Sequence, residues 1–154
     1  MVALLGVRLA LVPAVRREAI FFEGAGGTRT PVAPIIEALV GLRFAEEVSP
    51  TREEIVSMVR FARELDDGEA ECGAVAQHRG ILLATDDRKA RRILGEAGVP
   101  LTDTPELLKL WATVSGIDGA MVSEVLVAVQ RGARFRPRPE HPLYEWWARL
   151  TATQ

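Results

Sequence analysis

The sequence is poor in the residues that usually mark a secreted, zinc-bound or strongly basic protein. It has one cysteine, Cys72. No disulfide can form within the chain, so a reducing compartment, the cytoplasm, is expected. Flanked by Ala70, Gly73 and Ala74, Cys72 reads as a small core residue. The only histidines, His78 and His141, are far apart and lack ligand spacing, which argues against a zinc site. Charge of one sign is lacking as well: 19 Lys and Arg face 21 Asp and Glu, for a formal net charge of -2. Any contact with nucleic acid must then come from a local basic patch. The apolar start, Met1 to Val15, is too short for a membrane span and is interrupted by Arg8. Met1-Val2-Ala3 offers no basic leader for secretion. Gly24 to Thr28 has neither P-loop spacing nor a following Lys-Ser/Thr, and reads as a plain connection.

What remains is ordinary globular material: 154 residues, 48% hydrophobic and 26% charged, enough for one domain and one core. Val7 to Val12 reads as a strand that ends at Pro13 and passes into a helix. Pro34 to Val40 predicts a short helix and Phe44 to Val48 a strand. Thr51 and Glu54 form a capping box before a helix whose expected buried face is Ile55, Val59 and Ala62. Asp66-Asp67-Gly68 breaks that helix, and the next runs from Glu69 to Arg79, ended by Gly80. Ile81 to Thr85 reads as a strand buried on both faces. A helix capped by Asp86 or Asp87 buries Ala90, Ile93, Leu94 and Ala97. A strand at Val99 to Thr102 and helices starting at Thr104 and Asp118 follow. The domain is expected over residues 1–133, with the Arg- and Pro-rich tail 134–154 clamped back onto it by Trp146 and Trp147. Alternation of strands and helices predicts an α/β fold, a three-layer α/β/α sandwich around a central parallel sheet.

Element lengths place the acids. A helix from Glu69 to Arg79 climbs about 15 Å, and a strand from Ile81 to Thr85 returns about 13 Å. Glu69 should therefore lie near Asp86 and Asp87, at the carboxyl edge of the sheet, where open α/β folds place their ligands. Asp103 ends the next strand on the same edge. Clustered carboxylates repel, and a hard divalent cation relieves that repulsion. Helix capping explains Asp66, Asp67, Asp86 and Asp103 without a metal. Glu69 and Glu71 are two apart, so only one of them can face the cluster.

The run Leu65-Asp66-Asp67-Gly68-Glu69-Ala70-Glu71, followed by Leu83-Ala84-Thr85-Asp86-Asp87-Arg88-Lys89-Ala90-Arg91-Arg92, resembles the second half of PIN-domain proteins, which include the toxin nucleases of toxin–antitoxin pairs. Leu11-Val12-Pro13-Ala14-Val15 resembles that family's second strand and proline-started helix. The resemblance covers about Val7 to Ala112 and implies an endoribonuclease dependent on Mg²⁺ or Mn²⁺ that cleaves single-stranded RNA. It implies metal ligation and catalysis by Glu69, Asp86 and Asp87, with Thr85, Asp103 and Glu71 as further candidates. It also implies RNA contacts from Arg88, Lys89, Arg91 and Arg92, and a small antitoxin as partner.

The departure is at the start. The family opens with a strand ending in Asp, a metal ligand, whereas here no Asp precedes Asp66. Met1 to Leu5 resembles the end of the helix that follows that strand, so the first strand is expected to be missing from the sheet. Two readings stay open: a nuclease impaired in this chain, or a catalytically silent module that binds RNA or protein. Unpaired edges beside the gap lead to the expectation of a homodimer.

Overall fold

A computed structural model describes residues 6–18, 21–23 and 28–152. The expected helix end at Met1 to Leu5 and the glycines of the 24–27 connection lie outside these residues. Parallel strands joined by helices organise the chain. Strand β1 (Leu9–Leu11) stops at Val12, and Pro13 opens helix α1 (Pro13–Glu18), where its missing N–H leaves no bond unmade. Strands β2 (Phe21–Glu23) and β3 (Arg29–Pro31) form an antiparallel pair that the residue pattern does not announce. Helix α2 (Ala33–Gly41) leads to β4 (Ala45–Glu47), which pairs parallel with β1, Leu9 opposite Ala45.

Helix α3 (Arg52–Phe61) begins with the expected capping box, with reciprocal bonds between Thr51 and Glu54. Helix α4 (Asp67–Arg79) is capped by Asp66 and ends at Gly80. There φ of 62° is a left-handed conformation that a Cβ would penalise. Strand β5 (Leu83–Ala84), helix α5 (Arg88–Glu96) and strand β6 (Leu101–Thr102) complete a second parallel pair, Leu83 opposite Leu101. Helices α6 (Thr104–Ser115), α7 (Gly119–Gly132) and α8 (Tyr144–Thr151) close the described chain. Among the described residues no helix is long and apolar enough to cross a membrane.

Two clusters form the core. Phe61, Leu65, Ala70, Ala74, Ala90, Leu94 and Val99 pack α3, α4 and α5 together. Leu108, Val122, Leu126 and Trp147 join α6, α7 and α8, with Phe135 edge-on to Trp147 at 5.8 Å. The tail helix α8 is thus fixed by Trp147, which is fully buried.

The structure corrects two expectations. The buried face of α3 is not Ile55, Val59 and Ala62: Ile55 and Val59 are 47% and 61% exposed. Glu54 and Phe61 point inward instead, with Met58 partly buried between them. The spacing is still helical, but one inner position carries a charge, so a search for apolar residues picks the neighbouring stripe. Nor is the 81–85 strand buried on both faces. Leu82 is 60% exposed and Ile81 36%, because among the described residues β5 has a hydrogen-bonded neighbour only in β6. Among the described residues the parallel strands form two separate pairs, β1 with β4 and β5 with β6, and no ladder joins β1 to β5.

Close packing of α4 on α5 rests on Gly73. A Cβ there would collide with Leu94 Cδ2 and lie 3.1 Å from Cδ1, in a side chain with no exposed surface. Alanine would gain about 1 kcal/mol of helix propensity but force an overpacking cost of about 1–3 kcal/mol. Gly73→Ala is therefore expected to lower the melting temperature by about 2–4 °C, read by circular dichroism. A rise would show that Leu94 can repack at no cost.

Candidate metal and nucleic-acid site

Glu69 stands in the first turn of α4, its backbone N–H bonded to Asp66 Oδ1 at 2.8 Å. Its carboxyl pKa is raised above the ordinary 4.5, first by partial burial and then by the charges of Asp66 and Asp87. The acids at 69 and 87 are thus electrostatic neighbours, as the cancelling lengths of helix and strand predict. Asp87 also caps α5, with Ala90 N donating to its Oδ1 at 2.8 Å. The hydroxyl of Thr85 accepts from Asp87 N at 3.2 Å and so sets the turn between β5 and α5.

Asp86 turns away from this corner. Its two oxygens accept from Thr104 N at 3.0 Å and Thr104 Oγ1 at 2.5 Å, tying the end of β5 to the start of α6. Asp86 is held by the start of α6 and Asp87 by the first turn of α5, which separates the two carboxylates. Asp103 is buried and fully engaged: it caps α6 through Glu106 N at 3.0 Å, pairs with Arg91 at 3.5 Å and accepts from His141 at 3.0 Å. Glu71 is also buried and accepts from Ala14 N at 2.7 Å, fastening the start of α1 to α4. Of the Glu69–Glu71 pair, Glu69 faces the open side and Glu71 the interior.

One further carboxylate belongs to this corner without any signal in the sequence. Glu18, at the end of α1, lines a cavity of about 170 Å³ together with Asp66, Glu69, Cys72 and Thr85. Its Oε2 would lie 2.6 Å from a Cβ on Gly68. The contact spans fifty residues, and no local pattern announces it. Cys72, in the same cavity wall, has its thiol pushed up to about 11 by burial first and then by Glu71, Glu18, Asp66 and Glu69. A thiol in that environment stays protonated at neutral pH and is a poor nucleophile.

The basic residues of α5 divide into two sets by helical spacing. Arg88 and Arg91, three apart, line a larger cavity of about 830 Å³ that also contains Asp86. Lys89 and Arg92 lie on the adjacent face. The ammonium of Lys89 donates to Glu64 O, and Arg92 pairs with Glu96 at 3.4 Å and Glu64 at 4.0 Å.

Carboxylate oxygens are the donors that Mg²⁺ and Mn²⁺ prefer. Among the described residues no group of three or more His, Cys, Asp or Glu side chains is arranged to hold a metal by itself. Mg²⁺ is commonly held by one or two carboxylates, its own waters and substrate phosphates. The Glu69–Asp87 pair fits that description.

Comparison with known proteins bears on the same stretch of chain. A family model described as a PIN domain matches residues 10–140. No curated protein and no solved structure matches.

Proposed function

The chain belongs to the PIN-domain family, and on that premise we propose that it is a metal-dependent endoribonuclease acting on single-stranded RNA, the toxin type held in check by a small antitoxin in the cytoplasm. The observation that carries this reading is the grouping of Glu18, Asp66 and Glu69 around one cavity of about 170 Å³ beside Thr85, close enough that burial and the charges of Asp66 and Asp87 raise the Glu69 pKa. An acid placed against other acids at the open edge of an α/β fold, with no arginine bound to it among the described residues, is arranged for a cation rather than for stability. PIN domains are generally metal-dependent.

Glu69 and Asp87 would hold Mg²⁺ or Mn²⁺, while Asp86 is bonded to Thr104 and would have to release it to join them. The ion when bound supplies a water of lowered pKa and neutralises charge on the phosphodiester. Thr85 positions Asp87 through its backbone N–H. Arg88 and Arg91 are placed to take RNA phosphates, and Lys89 and Arg92 extend the basic surface of α5. The test is Mn²⁺-dependent cleavage of single-stranded RNA by the purified chain. No cleavage above that of the Glu69→Gln protein would overturn the nuclease reading.

A second reading, a catalytically silent module that binds RNA or protein, is favoured by the engagement of Asp86 with Thr104. RNA binding without cleavage would select it.

The proposal includes a homodimer. The outer edges of β1 and β5 have no strand partner among the described residues. Val7, Leu9, Ile81 and Leu82 beside them are 36–60% exposed. Open edges of this kind recruit another chain. Light scattering after size-exclusion chromatography is expected to give twice the chain mass at micromolar concentration, and a clean monomer would remove the dimer from the proposal.

A further inference from the structure

The larger cavity is walled on one side by Arg88 and Arg91 of α5. On the other side is the segment between α7 and α8, with Arg134, Arg136 and Arg138. Five arginines thus line one space of about 830 Å³. The three carboxylates in its wall do not balance them: Asp86 is bonded to Thr104, and Asp103 is shared by Arg91 and His141, which leaves Glu140. Among the described residues Arg88, Arg134 and Arg138 have no ion-pair or hydrogen-bond partner at their guanidinium groups, and Arg136 rests over the Tyr144 ring at 5.3 Å.

The segment is held in place, so these charges are presented rather than loosely attached. Phe135 packs on Trp147, and Pro137 is buried. Leu143 N donates to His141 Nδ1 at 3.0 Å, which leaves the proton on Nε2 to bond Asp103 at 3.0 Å. Alternation matters here. Phe135 and Pro137 turn toward the protein, and the intervening arginines turn outward. Arg134, Arg136 and Arg138 are exposed while Phe135 is half-buried and Pro137 buried, so the three arginines share the outer face of the segment.

We propose that the Arg134–Arg138 segment forms an arm that, with Arg88 and Arg91 opposite, grips the phosphate backbone of single-stranded RNA and feeds it toward Asp86 and Asp87. The proposal deepens the nuclease reading and rests on it for the identity of the ligand. The arm reads charge, not bases, so its contribution is salt-dependent and tolerant of sequence.

The test is fluorescence anisotropy with a short labelled single-stranded oligoribonucleotide in EDTA, where no metal-dependent cleavage occurs. Arg134 occupies a left-handed conformation, φ 50°, so Arg134→Gly removes the charge while relieving the backbone. Its melting temperature should be unchanged or higher. Combined with Arg138→Ala it is expected to weaken binding about 10-fold at low salt and to flatten the slope of log K against log salt by about 1.4. Arg52→Ala, at the exposed start of α3, should bind as wild type. Equal affinity and slope in wild type and double variant would overturn the arm, as would tighter binding of poly-glutamate than of RNA of equal charge. The two readings fail separately. A wild type that cleaves RNA with the double variant's KM unchanged loses the arm alone. One that binds through the arm without cleaving loses the nuclease alone.

Discussion

Glu69→Gln is expected to reduce Mn²⁺-dependent RNA cleavage by about 100-fold or more, because loss of a ligand should cost at least what loss of a ligand's supporting partner costs. The same substitution should leave the melting temperature at pH 7 unchanged or raise it. The opposite signs come from one cause. Partial burial and the charges of Asp66 and Asp87 raise the Glu69 pKa above 4.5. The folded protein therefore binds that proton more tightly than the unfolded chain does. Stability falls as pH climbs from 4.5 through the raised value and stays lower above it. Glutamine has no charge to repel and escapes that penalty. Mn²⁺ should reverse it in the wild type, raising the melting temperature through binding to the folded state, and should do nothing for Glu69→Gln. Asp87→Asn should lose cleavage similarly, with a stability loss from its weakened cap on α5. A Glu69→Gln protein that cleaves as fast as wild type, or melts well below it at pH 7, would show that the carboxylate is structural.

Much of this corner is legible in the sequence because it depends on local rules. Helix rise and strand rise are fixed, so the span from Glu69 to Asp87 follows from residue counts alone. The caps at Asp66, Asp87, Asp103 and Asp118 follow from side chains that reach a backbone N–H three residues on. What cannot be read locally is where a side chain goes when its partner is distant. Glu71 is one residue from Ala70 and fifty-seven from Ala14, and only the fold shows that it belongs to Ala14. Asp103 reads as a candidate ligand in the sequence, and the fold gives it instead to His141, thirty-eight residues on. The arginines of the tail read as composition until Trp147 and His141 fix the segment against α5 and α6. Exposure of β5 has a similar origin: strand burial is a property of neighbours, and among the described residues β5 pairs with β6 alone.

The inward charge that hides the buried face of α3 carries the largest expected effect on stability. Glu54 is 2% exposed. Its carboxylate accepts from Arg79 Nε at 2.7 Å and Nη2 at 2.9 Å, and from Thr51 N at 2.7 Å. Arg79→Ala would leave a buried carboxylate with the Thr51 bond alone. Breaking such a pair costs about 3–5 kcal/mol. Arg79 is about a third open to water, so about 3 kcal/mol, a fall of roughly 6–12 °C, is the expected result. Replacing both partners, Glu54→Leu with Arg79→Met, should cost less than Arg79→Ala alone, since no charge is then stranded. The pH dependence separates a charge effect from simple loss of packing. Arg79 holds the Glu54 pKa below 4.5 against the opposing effect of burial. In the wild type this stabilisation is complete above 4.5 and is lost as pH falls through the depressed value. Without Arg79 the largest lowering cause is gone, so the gap between variant and wild type should be widest near neutrality and shrink as pH falls below 4.5 and through the depressed wild-type value, where the carboxyl takes up its proton. Thermal melts of the two proteins across that range decide it: a gap that stays constant would mean that the arginine stem, and not its charge, supports α3 against α4.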